Sequence, residues 1–396
     1  MKSIFILGGS SLQVPIIKEA KERGLYTYVL DMDEECIGKE YADAFFPVST
    51  IDYDAIYKLA KEEKPDYIIT STSDRPVSVV ARLNEALGKK CGISYENSIC
   101  ATNKIEMRHR LFEKGVPVPK FYEVSSFEEM LSYVKKMPDK FVLKATDNAG
   151  SRGVVLVTKS ENVDYKKIYD YSLSFSRNGK LLMEEYMEGD EVSVEVLVSQ
   201  GEPHIVTVTD KMVTEGEFFV EIGHTEPSRH SVDEILDIKN VAISAVKAIG
   251  IENGPSHVEV KLTEDGAKIV EIAARLGGDF ITSKLVPLST GVDMVRQSLN
   301  LELGEDISYE PSKNRGSAIR FIQAEEGTVK EITGLKSAEE SAGVYEISLY
   351  KSIGDKVNSL SSSSERVGHV IATGKDAKEA SDNAEKALGK IQIIVD

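Results

Sequence analysis

The fold is decided by residues 257–273, whose sequence is HVEVKLTEDGAKIVEIA. Two runs of alternating apolar and polar residues flank residues 264–266, and this pattern predicts a β-hairpin with Gly266 in the left-handed position of its loop. Counting outward from a three-residue loop places Glu259 directly opposite Glu271. The sequence therefore predicts two carboxylates side by side on the polar face of one hairpin.

These two glutamates are the first candidates for a functional site. Opposed side chains in an antiparallel pair have Cβ atoms about 4.5–5.5 Å apart, and like charges there destabilise the sheet. A Mg²⁺ ion would relieve that repulsion, since it takes one or two carboxylates together with substrate phosphates. On the hairpin alone, a solvated pair of edge glutamates remains the alternative. The other face is predicted to be core and carries Val258, Val260, Val270 and Ile272.

The first hundred residues alternate between strand and helix patterns. Apolar runs at 4–7, 26–30 and 67–69 predict strands buried on both faces, and the segments between them predict helices at 15–23, 53–63 and 76–87. Such alternation is typical of a parallel sheet in a doubly wound domain. Gly8 and Gly9 follow the first strand, but Gln13 breaks the dinucleotide-binding spacing, so a tight turn is the favoured interpretation.

A glycine-containing segment, residues 146–153, connects two predicted strands at 141–145 and 154–157. Gly150 and Gly153 would let the backbone approach a ligand, and successive N–H groups can hold an anion. The segment lacks the Gly-Lys-Ser/Thr ending of a Walker loop, so it is interpreted as a flap between antiparallel strands. Lys144 precedes it among apolar neighbours, where a lysine either snorkels or meets an anion.

Composition excludes several classes of protein. The 396 residues are 41% hydrophobic and 29% charged, with 48 basic and 65 acidic side chains and a net charge of −17. This surface repels phosphate backbones and anionic lipid, so neither a nucleic acid nor a membrane is an expected partner. Three cysteines without metal-type spacing favour a reduced, cytoplasmic location. No apolar run approaches the roughly 18 residues of a membrane helix.

Taken in order, five segments resemble the ATP-grasp superfamily, in its biotin-carboxylase-like branch. They are Asn103-Lys104, residues 141–144, residues 183–191, residues 257–261 and residues 269–278. The resemblance implies an α/β and α+β multidomain fold. We expect a doubly wound domain at 1–101, an ATP-grasp domain at 102–305 with a mobile lid at about 118–185, and an α+β segment at 306–396.

The resemblance also implies ATP and Mg²⁺ as cofactors, with one or two metal ions and Mn²⁺ as an alternative. Glu259 and Glu271 would hold the metal, and Arg275 would contact the transferring phosphate. Many relatives have Asn where this chain has Ala273, which would remove a ligand of the second ion. The implied nucleotide-binding residues are Lys104, Lys144, Gly150, Ser151, Arg152, Gly153, Glu184, Glu185, Tyr186, Met187 and Glu191. Structural alternatives are that residues 184–185 form a solvated strand end and that Arg275 pairs with Asp279.

Residues 218–228 resemble the substrate segment of L-amino-acid ligases within this branch. That resemblance places Lys211, Glu221 and His224 at the substrate, with Lys211 among the catalytic residues. Arg320, on a predicted strand, could clamp a carboxylate, and Asp74 could reach the same cleft from the end of a strand.

The implied activity is an ATP-dependent carboxylate–amine ligase that works through an acyl phosphate. Its partners would be small-molecule carboxylates and amines, and the chain could form a homodimer. A bicarbonate-activating carboxylase and a catalytically silent nucleotide-binding module remain the alternatives.

Overall fold

The computed structural model describes residues 1–146, 153–214 and 219–396. The α-helices are α1 Val14–Glu22, α2 Tyr53–Glu63, α3 Arg75–Ala86, α4 Tyr95–Thr102, α5 Lys104–Glu113, α6 Phe127–Val134, α7 Tyr165–Ser174, α8 Val232–Ile249, α9 Val286–Thr290, α10 Met294–Leu303, α11 Leu335–Glu339 and α12 Ala377–Leu388.

The strands are β1 Ser3–Leu7, β2 Tyr26–Leu30, β3 Ala44–Phe46, β4 Tyr67–Ile69, β5 Phe121–Val124, β6 Lys140–Ala145, β7 Val155–Thr158, β8 Leu181–Glu185, β9 Asp190–Ser199, β10 Glu202–Val213, β11 Glu221–Glu226, β12 Gly254–Thr263, β13 Gly266–Ala273, β14 Gly316–Ile322, β15 Gly327–Thr333, β16 Val344–Leu349, β17 Lys356–Val357, β18 Gly368–Gly374 and β19 Gln392–Val395.

The amino-terminal sheet is parallel and has the order β3-β2-β1-β4. Successive residues of β1 belong to different cores: Ile4 packs with α1, and Phe5 packs with α2 on the opposite face. Helices therefore cover both faces, and the predicted doubly wound arrangement is confirmed. Gly8 has a φ of +113°, as the predicted tight turn after β1 requires.

An eight-stranded sheet with the order β13-β12-β9-β10-β11-β14-β18-β16 forms the centre of the molecule. Helix α8 covers one face, on which β9 presents four fully buried valines. A Ser231–Glu234 capping box begins this helix, and Gly250, with a φ of 78°, ends it. The opposite face carries the polar side chains described below.

A separate antiparallel sheet, β5-β8-β6-β7, corresponds to the segment expected to form a lid. Helices α6 and α7 pack on it around their own apolar core. The chain then continues into the central sheet through β9. Strands β6 and β8 border the cleft that is described in the next section.

The carboxyl-terminal segment extends the central sheet. Strands β14, β18 and β16 continue it, α12 packs on β14 and β18, and β17, β15 and β19 form a small adjoining sheet. The boundary proposed near residue 305 lies between α10 and β14, so strands from both sides of it share one sheet.

None of the helices in the described ranges is long and apolar enough to span a membrane.

Candidate active site

The hairpin of β12 and β13 pairs Glu259 with Glu271, as predicted, but by a different route. Thr263 lies opposite Gly266, so two residues rather than three make the loop. A register shift next to Val260 restores the expected pairing. The same shift turns Ile269 into the core and leaves Val270 half-buried at the cleft, so the prediction that Val270 is core was wrong.

A cleft of about 420 Å³ opens between the central sheet, the β5–β8 sheet and the ends of the amino-terminal strands. Most of the predicted site residues line it: Asp74, Lys104, Lys144, Glu184, Glu185, Tyr186, Met187, Glu191, Lys211, Glu221, His224, Glu259, Glu271 and Arg275. Gly150, Ser151 and Arg152 lie outside the described residues. Gly153 has a φ of +76° and packs against Phe175, where a Cβ would be 2.8 Å from the Phe175 Cβ.

Two lysines and an arginine gather at one end of the cleft. Asn103 caps α5 by accepting from the N–H groups of Ile105 and Glu106, and this cap fixes Lys104 at the first turn. Arg108 lies one turn further on the same helix, fully buried, and contacts Glu184, which also contacts Lys144.

The single carboxylate in this group is outnumbered by cations. Burial raises the pKa of Glu184, but Arg108 and Lys144 outweigh burial and lower it to about 2. Burial lowers the pKa of Lys144, and the nearby cations Arg108 and Lys104 add to that effect. A surplus of buried positive charge suits the phosphates of a nucleotide. Glu184 is buried, so the alternative of a solvated strand end was wrong; its carboxylate holds Lys144 and Arg108.

The two opposed glutamates are each neutralised by a lysine. Lys104 Nζ lies 2.6 Å from Glu271 Oε1, and Lys211 Nζ lies 3.2 Å from Glu259 Oε1. Burial opposes the ionisation of Glu259, yet Lys211 and His257 outweigh it and hold its pKa well below the ordinary value. Two ionised carboxylates that face a cationic pocket fit Mg²⁺ bound together with phosphate oxygens. Among the described residues no cluster of three or more acidic, His or Cys side chains is arranged to hold a metal without such help.

Lys211 connects three carboxylates in the middle of the cleft. Its Nζ lies 2.7 Å from Glu191 and 3.6 Å from Glu221, in addition to Glu259. Burial lowers the pKa of Lys211, but the three acids outweigh burial and hold that pKa well above the ordinary value. Lys211 therefore remains a cation. It contacts Glu191, Glu259 and Glu221, which are expected at the ribose, the metal and the substrate.

The far end of the cleft has an aromatic character. Strand β8 ends at Glu185, whose N–H donates to Lys120 O, and the ring of Tyr186 stacks near Phe219 with centroids 6.1 Å apart. Glu185 Oε1 lies 3.4 Å from Lys268 Nζ. A flat apolar wall beside backbone groups is suited to a nucleobase.

Arg275 lies beyond the metal carboxylates, at the edge of the amino-terminal domain. Its Nε lies 2.6 Å from Asp74 Oδ1, and the Leu276 N–H donates to Ser71 O next to this pair. The alternative pairing of Arg275 with Asp279 was therefore wrong. The prediction that Asp74 reaches the cleft agrees with the structure, because Asp74 lines the cleft together with Arg275.

His224 and Asp279 form the wall opposite the metal carboxylates. His224 Nε2 lies 3.3 Å from Asp279 Oδ2, and its Nδ1 has no hydrogen-bond partner among the described atoms. Arg366 holds Asp279 through two 2.7 Å hydrogen bonds and donates to Glu221 O. Ser363 Oγ donates to Glu221 Oε2, so the serine-rich segment at 361–364 contributes to the lining of the cleft.

Arg320 faces away from the cleft, and the expectation that it clamps a substrate carboxylate was wrong. Its Nε contacts Glu385 on α12, and its Nη1 donates to His224 O at 3.1 Å. Gly223, across the strand pair, leaves room for it, since a Cβ there would be 2.9 Å from Arg320 Cδ. The guanidinium of Arg320, which was expected to bind a substrate carboxylate, instead holds the backbone of β11.

Further residues of the site were missed, among them Arg108, His257 and Arg366. Arg108 could have been found, because it is four residues from Lys104 on one helix face. His257 Nδ1 lies 2.7 Å from the buried Glu195, and its Nε2 lies 3.5 Å from Glu259. Burial lowers the pKa of His257, but Glu195 outweighs it and raises the pKa to about 9. His257 is two residues from Glu259 on one strand face, which is a usable signal.

Comparison with known proteins places this site in a family. Residues 137–283 match the model of the ATP-grasp domain, and residues 320–396 match that of the L-amino acid ligase C-terminal domain 2. The chain is 26% identical over 310 residues to an L-arginine-specific L-amino acid ligase of Bacillus subtilis, covering 75% of this chain and 72% of that protein. It spans 60% and 53% of the next two relatives.

Solved structures share the fold over the whole chain. An L-amino acid ligase from Bacillus licheniformis has a TM-score of 0.85 at 22% identity, with 100% of this chain and 99% of that one covered. A biotin carboxylase domain of a 2-oxoglutarate carboxylase from Hydrogenobacter thermophilus has a TM-score of 0.78 at 19% identity, covering 100% of this chain and 91% of that one.

The fold and the matched domains define an ATP-grasp ligase, as the sequence predicted. Its carboxyl-terminal part is an L-amino acid ligase C-terminal domain 2, so the resemblance to the L-amino-acid ligases is also confirmed.

Proposed function

We propose that this ligase joins the carboxylate of an amino-acid-like substrate to an amine through an acyl phosphate. A carboxylate oxygen attacks the γ-phosphorus of ATP, and the bond to the β-bridging oxygen breaks, releasing ADP. The amine nitrogen then attacks the acyl carbon, the bond from that carbon to the phosphate oxygen breaks, and inorganic phosphate leaves. The amine gives up a proton as the amide forms.

The nucleotide would lie between the two ends of the cleft. Residues 185–187 and Phe219 would receive the base, Glu191 the ribose, and Lys104 and Lys144 the phosphates. Glu259 and Glu271 would hold Mg²⁺, which supplies Lewis-acid stabilisation of the phosphates when bound. Ala273 adds only an apolar surface beside Glu271, so we infer that phosphate and water complete the coordination.

Arg275 is placed to stabilise the reacting phosphoryl group and the acyl oxygens. Asp74 fixes the guanidinium through Nε, so the side chain is positioned before the substrate arrives. Lys211 would offset charge on the same groups, at the cost of one of its present contacts with Glu191, Glu221 or Glu259. These two cations are our candidates for the catalytic residues.

The single observation that supports an amine substrate is the wall formed by Glu221, His224 and Asp279. The carboxylates of Glu221 and Asp279 and the ring of His224 line this part of the cleft, beyond the positions proposed for the nucleotide. Carboxylates can bind the ammonium group of an amino acid. Bicarbonate has no ammonium group for these carboxylates to bind, which disfavours the carboxylase alternative.

Phosphate release from ATP tests this proposal in three parallel reactions: with pools of amino acids, with bicarbonate, and with neither. We expect release only with amino acids, accompanied by an amide product detected by mass spectrometry. Arg275→Met should abolish release, whereas Arg229→Met, an exposed arginine paired with Asp210, should retain it. Release that depends on bicarbonate with no amino acid effective would support the carboxylase instead. Nucleotide binding without release in any of the three would support the silent module.

A further inference from the structure

A second cavity of about 780 Å³ lies on the other side of the wall that carries Arg275. Its lining comes from β4 and α3, from the Lys90–Ile93 segment, from the β9–β10 turn and from α10 with the residues after it. Thr70 and Ala274 line this second cavity, whereas Asp74 and Arg275 line the catalytic cleft. The two spaces share a wall but no lining residue.

The second cavity contains polar groups that lack partners within the described part of the chain. Glu302 is half-buried and makes no ion pair or hydrogen bond there, and burial raises its pKa to about 7, with Lys89 and Lys90 opposing. Asn84 is 2% exposed, and while its Nδ2 donates to Ile68 O, its Oδ1 has no partner. Buried polar atoms without partners are uncommon and costly in native proteins.

One cation is available on the same lining. Lys89 Nζ is occupied by the carbonyl oxygens of Pro65 and Asp66, but Lys90 Nζ has no such contact among the described residues and lies near Gly304, 2.8 Å from where a Cβ would stand. A flat wall completes the cavity, because the rings of His204 and Tyr309 stack with centroids 4.0 Å apart.

We propose that the second cavity is a binding site for a free amino acid. Glu302 and Asn84 Oδ1 would receive its ammonium group, Lys90 its carboxylate, and the His204–Tyr309 wall its side chain. A protein anion and a protein cation in one cavity match the two charges of a zwitterion, whereas a nucleotide or a divalent cation would match only one of them. The bound amino acid would contact the β4 end and Ala274, the two segments that lead into Asp74 and Arg275, so the site is placed to act as an effector site.

Equilibrium dialysis of the full chain against labelled proteinogenic L-amino acids, first in pools and then singly, tests this proposal. At least one amino acid should bind in a way that survives Arg275→Met. Glu302→Gln and Lys90→Gln should each weaken that binding by at least about tenfold, which corresponds to the loss of one charged contact. Lys89→Gln is the matched control and should bind like the unaltered chain. The basal rate of the Glu302→Gln variant should be unchanged.

Binding that is lost with Arg275→Met, or that is indifferent to both Glu302→Gln and Lys90→Gln, would overturn the proposal. Lys90 is exposed, so its substitution does not depend on how well a buried site tolerates change. Dialysis does not require turnover, so an amino acid held in the second cavity would be detected even if no amide were ever formed.

Discussion

Charged side chains line both the catalytic cleft and the second cavity, but their partners differ. In the cleft, Lys104 contacts Glu271, Lys211 contacts Glu259 and Arg275 contacts Asp74. In the second cavity, Glu302 and Lys90 contact no opposite charge within the described chain. A ligand of the cleft must therefore exchange partners, whereas a ligand of the second cavity would supply partners that are missing.

This contrast has a consequence for the cleft. A lysine contacts each of Glu259 and Glu271, so a Mg²⁺ ion bound there would have to replace an existing ion pair, and the displaced lysine would gain a phosphate when ATP is present. We therefore expect Mg²⁺ alone to bind weakly and Mg²⁺ with ATP to bind well, because the exchange then leaves no buried charge unpaired.

Glu271→Gln should produce the largest loss. It removes one anionic metal ligand while keeping shape, so turnover should fall by at least about a hundredfold. Nucleotide should still bind, because the proposed base contacts, residues 185–187 and Phe219, lie on other segments, and Lys104 is released from Glu271 toward the phosphates. Steady-state rates beside calorimetric nucleotide affinity measure this, with the exposed hairpin residue Glu264→Gln as the control. Near-normal turnover in saturating Mg²⁺ would mean that the two glutamates do not hold the catalytic metal.

Lys144→Met should have a smaller effect on rate and a larger one on binding. Its partner would be a ground-state phosphate, so both ATP affinity and rate should fall, each by about tenfold or more. Lys166→Met, an exposed lysine on α7 paired with Asp170, should change neither. If Lys144→Met lowered the rate alone, its role in phosphate binding would have to be abandoned.

Glu302→Gln should stabilise the protein above pH 4.5, and the gain should reach its full size above pH 7. The pKa of Glu302 rises from 4.5 to about 7 on folding, so its stabilising protonated form is present below pH 4.5 and lost as the pH rises through 7. The glutamine variant should therefore gain on the order of 1–3 kcal/mol at pH 8 and nothing at pH 4.5. Chemical denaturation at the two pH values measures this. Glu305→Gln, an exposed acid paired with Arg23, should show no such gain, and an equal gain at both pH values would contradict the assignment.

Much of the fold followed from local patterns. The parallel strands β1, β2 and β4 of the first hundred residues and the helices between them were predicted, because each depends on periodicity and end signals nearby. The glutamate pair was also predicted. The loop is one residue shorter than expected and the bulge shifts the register back by one residue, so Glu259 still lies opposite Glu271. A bulge has no clear sequence signature, so Val270 was assigned to the wrong face.

The contacts between distant elements could not be predicted in the same way. Arg320 and Arg366 both lie in the carboxyl-terminal segment. Only the packing of that segment determines which of the two contacts a residue of the cleft. Arg320 meets Glu385 on α12, while Arg366 lies over the Phe321 ring at 3.6 Å and reaches Asp279. The role proposed for residues 150–152 stays a prediction, since they lie outside the described ranges.

Acyl transfer through a phosphorylated carboxylate moves an oxygen atom from the carboxylate to phosphate, and this transfer can be measured. An amino acid labelled with oxygen-18 in its carboxylate is incubated with the enzyme, ATP, Mg²⁺ and an amine, and the released phosphate is analysed by mass spectrometry. If the carboxylate is phosphorylated and the amine then displaces phosphate, each amide formed should leave one labelled oxygen in inorganic phosphate. Amide formation with unlabelled phosphate would contradict the acyl-phosphate mechanism.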